Sequence, residues 1–365
     1  MTTNSRRRIL IMAGGTGGHV IPALSLARAL QAHDVDVEWL GSPRGIENRL
    51  VPEAGIRLHT IAISGLRGNG ASGWLKAPLN LSRAVMQARR VINTFKPHVV
   101  VGLGGFASGP GGLAAWLSRV PLVIHEQNAV AGLTNRVLSR LATRTYAAFA
   151  EAFGPRAEVI GNPVREDIAV IGEQPRAAAT MSARPLRLLV VGGSLGAVAL
   201  NERLPSALAA MAPELRPNVR HQAGKERDEL TAQAYAEQGV EAEVSPFIDD
   251  MAAAYEWADL VVCRAGALTV AELAASAKPA LLVPFPFAVD DHQRVNAEVL
   301  VKAGAAVCVV QADLTPQRLT DYLNELLTPD RLAEMASKAR QAAYLDATRR
   351  LTDGCLSLVN QGETA

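Results

Sequence analysis

The sequence is poor in the features that mark several common classes of protein. Its 365 residues include only three cysteines, Cys263, Cys308 and Cys355, with no C-x-x-C spacing among them. That argues against a disulfide framework and a zinc site, and fits a reducing compartment. No apolar run reaches the roughly 18 residues that a transmembrane helix needs. The N-terminal apolar run is too short for a signal-peptide core and leads straight into a glycine-rich motif. A cytosolic protein is expected. Net charge is only +2, far from the field of a nucleic-acid binder, so no such partner is expected. Metal signals fail as well. His125-Glu126 would begin H-E-x-x-H, but Ala129 stands where the second histidine belongs, and the pair ends a strand. Asp34-Val35-Asp36 enters a strand without further ligands, as solvated carboxylates do.

What remains is an ordinary α/β composition, 49% hydrophobic and 20% charged, at a length that suits two domains. The run Arg6 to Met12 reads as a buried parallel strand. Ala13-Gly14-Gly15-Thr16-Gly17-Gly18-His19 follows as a turn, and Val20 to Leu30 has helical spacing. Strand, glycine turn and helix aim backbone N–H groups at an anion. Short β-rich runs then alternate with amphipathic helices, which indicates a parallel sheet covered on both faces. A second glycine turn, Gly102 to Gly112, closes the fourth strand. After Gly161-Asn162-Pro163 and an irregular stretch the pattern restarts, with the strand Leu186 to Val191 and the turn Gly192-Gly193-Ser194-Leu195-Gly196. The expected fold is α/β, with two Rossmann-like domains facing a cleft. The domains are expected at 1–163 and 164–341, with a C-terminal helix near 342–365 crossing back onto the first.

The glycine turns do not bind a dinucleotide in the usual way. G-x-G-x-x-G breaks at Val20 in the first and at Ser194 in the second, and no acid ends the second strand. Turns that only serve tight packing are an alternative. Gly192 to Gly196 also matches the G-x-S-x-G nucleophile elbow, with Asp249 and His292 following in hydrolase order. The same geometry could instead offer N–H groups and the Ser194 hydroxyl to a diphosphate. From Ile63 to Lys96, apolar residues mix with Arg67, Lys76, Arg83, Arg89 and Arg90. That segment fits either a basic solvent face or a membrane-surface patch. The densest constellation is Arg264-Ala265-Gly266-Ala267-Leu268-Thr269-Val270-Ala271-Glu272 after the strand Leu260 to Cys263. There a helix N-terminus faces phosphate while Glu272 could accept both hydroxyls of a ribose. Phe247-Ile248-Asp249 offers apolar surface and backbone groups to a flat base. Together these describe a nucleoside-diphosphate site.

Six motifs carry a family resemblance, in order, over nearly the whole chain. They are Gly14 to His19, Gly104 to Pro110, His125 to Asn128, Gly161 to Arg165, Gly192 to Ser194 and Cys263 to Thr269. The chain closely resembles the MurG family of bacterial peptidoglycan glycosyltransferases. The resemblance implies the glycosyltransferase B fold. It also implies inverting transfer of N-acetylglucosamine from UDP-N-acetylglucosamine to the C4 hydroxyl of the muramoyl sugar of lipid I, giving lipid II. Neither a cofactor nor an obligatory metal is implied.

By the same resemblance the C-terminal domain would hold the donor. Ile248 would meet the uracil, Glu272 the ribose, and Ser194 with Arg165 the diphosphate, beside the helix start Ala267, Leu268, Thr269, Val270 and Ala271. Asn128 and Gln293 would reach the sugar, with Thr16, Gly17 and Gly18 approaching from the first domain. His292 stands where the family pattern often has a glutamine. Gly14, Gly15, Gly104 and Gly105 would face the acceptor's lipid diphosphate. The segment Ile63 to Lys96 would touch the cytoplasmic face of the inner membrane, where cell-wall and division proteins are possible partners. His19 is the candidate general base, since imidazole can accept a proton near neutrality; Glu126 is the second choice. A UDP-N-acetylglucosamine 2-epimerase would share fold and donor, and a serine hydrolase acting through Ser194 is the rival from another class.

Overall fold

The structure, a computed structural model, describes residues 7–63, 70–193, 196–288 and 291–363, and only the backbone of 70–76 and 362–363. The chain divides into two compact units, residues 1–163 with 346–365, and residues 164–345.

Among the described residues the first unit holds seven strands: β1 (Arg7–Met12), β2 (Val35–Gly41), β3 (Arg57–Thr60), β4 (Val99–Gly102), β5 (Leu122–Glu126), β6 (Arg144–Ala147) and β7 (Glu158–Val159). They lie in the order β3-β2-β1-β4-β5-β6-β7, and every pairing is parallel. A two-residue side-chain period explains why the run Ile9 to Met12 of β1 is apolar on both faces. Ile9 and Ile11 enter the core under the helix Gly17–Gln31, while Leu10 and Met12 enter the opposite core with Ala84, Val85 and Ala88. The final helix, Ala347–Glu363, buries Leu351, Cys355, Leu358 and Val359 in the first of these cores. It is further tied to β7 by Arg350, which meets the Val159 carbonyl at 3.2 Å and the Glu158 carboxylate at 2.7 Å.

The second unit holds β8 (Arg187–Val191), β9 (Asn218–Gln222), β10 (Ala242–Ser245), β11 (Leu260–Cys263), β12 (Ala280–Leu282) and β13 (Ala306–Cys308). Their order is β10-β9-β8-β11-β12-β13, again all parallel. Counted within each unit, both sheets therefore begin 3-2-1-4-5-6, the Rossmann arrangement. In such a sheet the connections leave in opposite directions from the first and fourth strands, which opens a crevice at their carboxyl ends. Those points are β1/β4 in the first unit and β8/β11 in the second. The register aligns them closely, with Met12 opposite Gly102 and Val191 opposite Cys263.

Candidate active site

In the first unit, the turns after β1 and β4 meet. The Leu103 N–H donates to the Met12 carbonyl at 2.9 Å, which sets the two turns side by side. Gly105 has φ +87°, and a Cβ on it would lie 2.5 Å from the Gly14 carbonyl oxygen, so only glycine permits this approach. Gly104, at φ +97°, leaves room for the His19 ring, since a Cβ there would fall 2.6 Å from Nδ1. His19 sits in the first turn of the helix Gly17–Gln31, its N–H donating to the Thr16 carbonyl at 3.2 Å. Thr16 is the exposed, extended N-cap of that helix, but its hydroxyl does not cap it. Gly17 and Gly18 form the first helical residues.

The first turn differs from the expected anion cradle. The Gly15 N–H donates to the Glu47 carboxylate at 2.9 Å. Glu47 is fully buried and also accepts from the Ser42 N–H at 3.2 Å and the Ser42 hydroxyl at 2.8 Å. A protein carboxylate thus occupies the N–H that a diphosphate would need, and its charge repels an anion. Gly14 is glycine for a related reason, because a Cβ there would come 2.5 Å from Glu47 Oε1.

The loop after β5 is built around Glu126. Its buried carboxylate accepts from the Asn128 N–H at 3.0 Å, Asn128 Nδ2 at 3.3 Å, the Gly132 N–H at 3.4 Å and Asn135 Nδ2 at 2.8 Å. Four donors use the lone pairs that a general base would need, so the geometry favours a role in shaping the loop over proton abstraction. Asn128 is one of the groups so placed. His125 is fully buried; desolvation lowers its pKa to about 4, partly opposed by its bond to the Gly161 carbonyl at 2.9 Å. Next to Glu126, Gln127 Nε2 donates to the Leu103 carbonyl at 2.7 Å, and its Oε1 lies 3.3 Å from His19 Nδ1.

In the second unit, β11 ends at Cys263 and Gly266 caps the helix Ala267–Ala275 in extended conformation. Amides at such an N-terminus lack carbonyl partners within the helix, which suits an anion. Glu272 is buried on the second turn, with Tyr255 Oη 3.2 Å from one carboxylate oxygen and Arg165 Nη2 3.7 Å from the other. Desolvation raises its pKa to about 7, against the lowering pull of Arg165 and the Tyr255 hydrogen bond. Arg165 and Glu272 are therefore brought together. Arg264 turns away from the helix start. Its guanidinium brackets the carbonyls of Val283 and Pro284 at 3.0 and 3.2 Å and Gln311 Oε1 at 2.6 Å. Gln293, on the first turn of the helix His292–Ala303, accepts the Phe285 N–H at 2.9 Å. In this state its amide oxygen is engaged and only its nitrogen can donate elsewhere.

The turn after β8 is held to the loop carrying Ile248 by Gln222, a residue with no local sequence signal. Gln222 Oε1 accepts the Gly193 N–H at 3.0 Å, while its Nε2 donates to the carbonyls of Gly193 and Pro246, both at 3.0 Å. Phe247 is exposed and Asp250 caps the helix Met251–Trp257 through the Ala253 N–H. Ser194 lies outside the described residues. Glu47, Asn135, Gln222 and Tyr255 hold the candidate-site residues without any local sequence signal, since each bonds a partner 9 to 32 residues away along the chain.

Residues 9–147 match the glycosyltransferase family 28 N-terminal domain, and residues 187–351 match the glycosyltransferase family 28 C-terminal domain. With two Rossmann-like sheets, each opening at its own switch point, this defines a two-domain glycosyltransferase of the B fold. A Chromohalobacter salexigens protein named UDP-N-acetylglucosamine--N-acetylmuramyl-(pentapeptide) pyrophosphoryl-undecaprenol N-acetylglucosamine transferase is 67% identical over 96% of this chain and 96% of its own length. The chain belongs to that transferase family, MurG. The crystal structure of Acinetobacter baumannii MurG superposes with a TM-score of 0.83 at 43% identity, covering 96% of this chain and 99% of that one. A Neisseria meningitidis UDP-GlcNAc 2-epimerase bound to UDP-GlcNAc has a TM-score of 0.67, covering 96% of this chain and 100% of its own. At 13% identity it shares the fold alone.

Proposed function

We propose that the chain transfers N-acetylglucosamine from UDP-N-acetylglucosamine to the C4 hydroxyl of the muramoyl sugar of lipid I, with inversion, forming lipid II. The observation that carries this reading is the 67% identity, over 96% of the chain, to a relative named for that transfer. The second unit holds the donor. The Ile248 loop takes the uracil, Glu272 the ribose, and the helix start at Ala267 to Thr269 with the turn at Ser194 takes the diphosphate. Arg165 adds positive charge beside Glu272. Departure of UDP is assisted by fixed N–H groups and the helix dipole. Val270 and Ala271 continue that helix and hold Glu272 at its depth.

His19 takes the proton of the attacking hydroxyl as its oxygen bonds to the anomeric carbon and the bond to UDP breaks. Thr16, Gly17, Gly18 and Asn128 line the sugar, with Gln293 contributing from the donor side. Because Glu47 fills the Gly15 turn, the acceptor's diphosphate falls to the Gly104-Gly105 turn and the start of the helix Ser108–Leu117. The active protein sits peripherally on the cytoplasmic face of the inner membrane. That placement is supported by Leu79, Leu81 and Met86 exposed on the helix Gly70–Phe95 beside exposed Arg83, Arg89 and Arg90. Trp116 and Leu117 are exposed on the helix Ser108–Leu117, which packs against it. Residues 64–69 and the side chains of Trp74, Leu75 and Lys76 lie outside the described residues. No helix among the described residues is long and apolar enough to cross a membrane.

The test uses UDP-N-acetylglucosamine labelled in the sugar, with and without a lipid I analogue. Label is expected to move to lipid only when acceptor is present. His19→Ala lowers turnover by roughly 10²-fold or more and leaves UDP affinity unchanged. Near-normal turnover in that variant would remove His19 from the role of base, and sugar epimerised without acceptor would overturn the transferase reading.

A further inference from the structure

The geometry assigns Gln127 as the positioning residue that selects the tautomer of His19. This assignment rests on the reading of His19 as the base and adds what makes that base competent. Leu103 C=O can only accept, and the Gln127 side chain approaches it to 2.7 Å, so the amide nitrogen must be the atom facing it. The orientation of the amide is thereby fixed by chemistry, independent of how its two heavy atoms are told apart. The oxygen is left to face His19 Nδ1 at 3.3 Å. An amide oxygen cannot donate, so the hydrogen between them belongs to Nδ1. A neutral imidazole carries one N–H, which leaves Nε2 with a free lone pair. Proton abstraction thus falls to Nε2. The proton taken there comes from the acceptor hydroxyl, while the proton on Nδ1 stays in its bond to Gln127.

The rest of the arrangement keeps Gln127 in this orientation. Leu103 is fixed to the end of β1 by its N–H bond to Met12, and the Gln127 carbonyl accepts from Asn162 Nδ2 at 3.1 Å. The absence of a Cβ at Gly104 lets the Nδ1 edge of the ring face inward. Gln127 itself is buried, so water does not compete for its two ends. An amide suits this place because one end must donate and the other accept. A carboxylate has acceptors only and would set an oxygen against the Leu103 carbonyl.

The test is nitrogen NMR of the histidine-labelled full chain at alkaline pH, where imidazole is neutral, with the His19 signals assigned by their loss in His19→Ala. Wild-type protein is expected to show His19 protonated on Nδ1. In Gln127→Met the preference for Nδ1–H is lost. There kcat falls roughly 10-fold, a part of the 10²–10⁴ that a positioned base supplies, while UDP-N-acetylglucosamine affinity is unchanged. Gln127→Glu keeps an acceptor facing His19 and is expected to retain the Nδ1–H signature that the methionine variant loses. A wild-type His19 protonated on Nε2 overturns the assignment without need of any variant. So does an unchanged tautomer in Gln127→Met. If the tautomer responds as expected but His19→Ala keeps full turnover, the assignment of Gln127 stands and the base is elsewhere.

Discussion

Glu272 should couple nucleotide binding to proton release. Its carboxyl is buried, and desolvation brings its pKa to about 7 with no nucleotide bound. Two ribose hydroxyls donating to it favour the charged form and pull that value back toward the ordinary carboxylate range. If only the carboxylate accepts both hydroxyls, affinity follows the ionised fraction, about one-tenth at pH 6 and nine-tenths at pH 8. Affinity for UDP-N-acetylglucosamine therefore rises about tenfold over that interval, or roughly 1.4 kcal/mol. At pH 7 about half a proton is released per nucleotide bound. Both phosphates of this ligand are esterified, so the ligand itself does not titrate there. Calorimetry at pH 6, 7 and 8, in buffers of different ionisation enthalpy, measures affinity and proton count together. Glu272→Gln should bind more weakly and lose the pH dependence. Affinity that is flat or falls with pH in the wild type, or a slope that survives in Glu272→Gln, would refute the coupling.

Gly104→Ala introduces a Cβ 2.6 Å from His19 Nδ1 at φ +97°, so transferase activity should fall sharply while labelled UDP still binds the second unit. Glu126→Gln replaces an acceptor of four hydrogen bonds with an amide bearing one acceptor oxygen. The expected result is a raised KM for the donor through a disordered Asn128, with an unchanged shape of the pH–rate profile; loss of the acidic limb would instead mark Glu126 as the base. His125 binds its proton more weakly in the fold, at about 4 against 6.5 unfolded. Its stabilising contribution is thus complete above pH 6.5 and is lost as pH falls through about 4, an effect of roughly 3 kcal/mol. His125→Gln, which can still donate to the Gly161 carbonyl, should flatten the acid side of the melting temperature against pH. Leu351→Ala should cost roughly 2–5 kcal/mol by opening a cavity beneath the last helix, read as a lower melting temperature of the first unit.

The repeated strand, glycine turn and helix were legible because they are local: apolar period, φ-permissive residues and helical spacing all lie within one window. The two-domain Rossmann-like layout follows from that repeat, while the 3.7 Å approach of Arg165 to Glu272 comes from the fold. What the sequence hides are contacts that cross the chain. Nothing near Gly15 announces that Glu47, from the helix Glu47–Glu53, enters the turn and takes its N–H. Arg264 reads as part of the nucleotide motif, yet its guanidinium brackets the loop at Val283 and Pro284. Glu126 looks like a reactive carboxylate beside a histidine until Asn135 and Gly132 are seen to saturate it. In each case the determining partner is a polar group whose position depends on the fold.

The helix Ala347–Glu363 has a consequence for the order in which the protein can be made. It supplies Leu351, Cys355, Leu358 and Val359 to a core whose other members come from the first 160 residues. During synthesis at about 5–20 residues per second, the intervening unit takes roughly 10–40 s to emerge. Throughout that interval the helix Gly17–Gln31 lacks the neighbour that covers it in the finished protein. The second unit is continuous and draws its core from its own residues, so its packing waits for nothing beyond Leu345. The half of the molecule that is translated earliest is therefore the half that matures last.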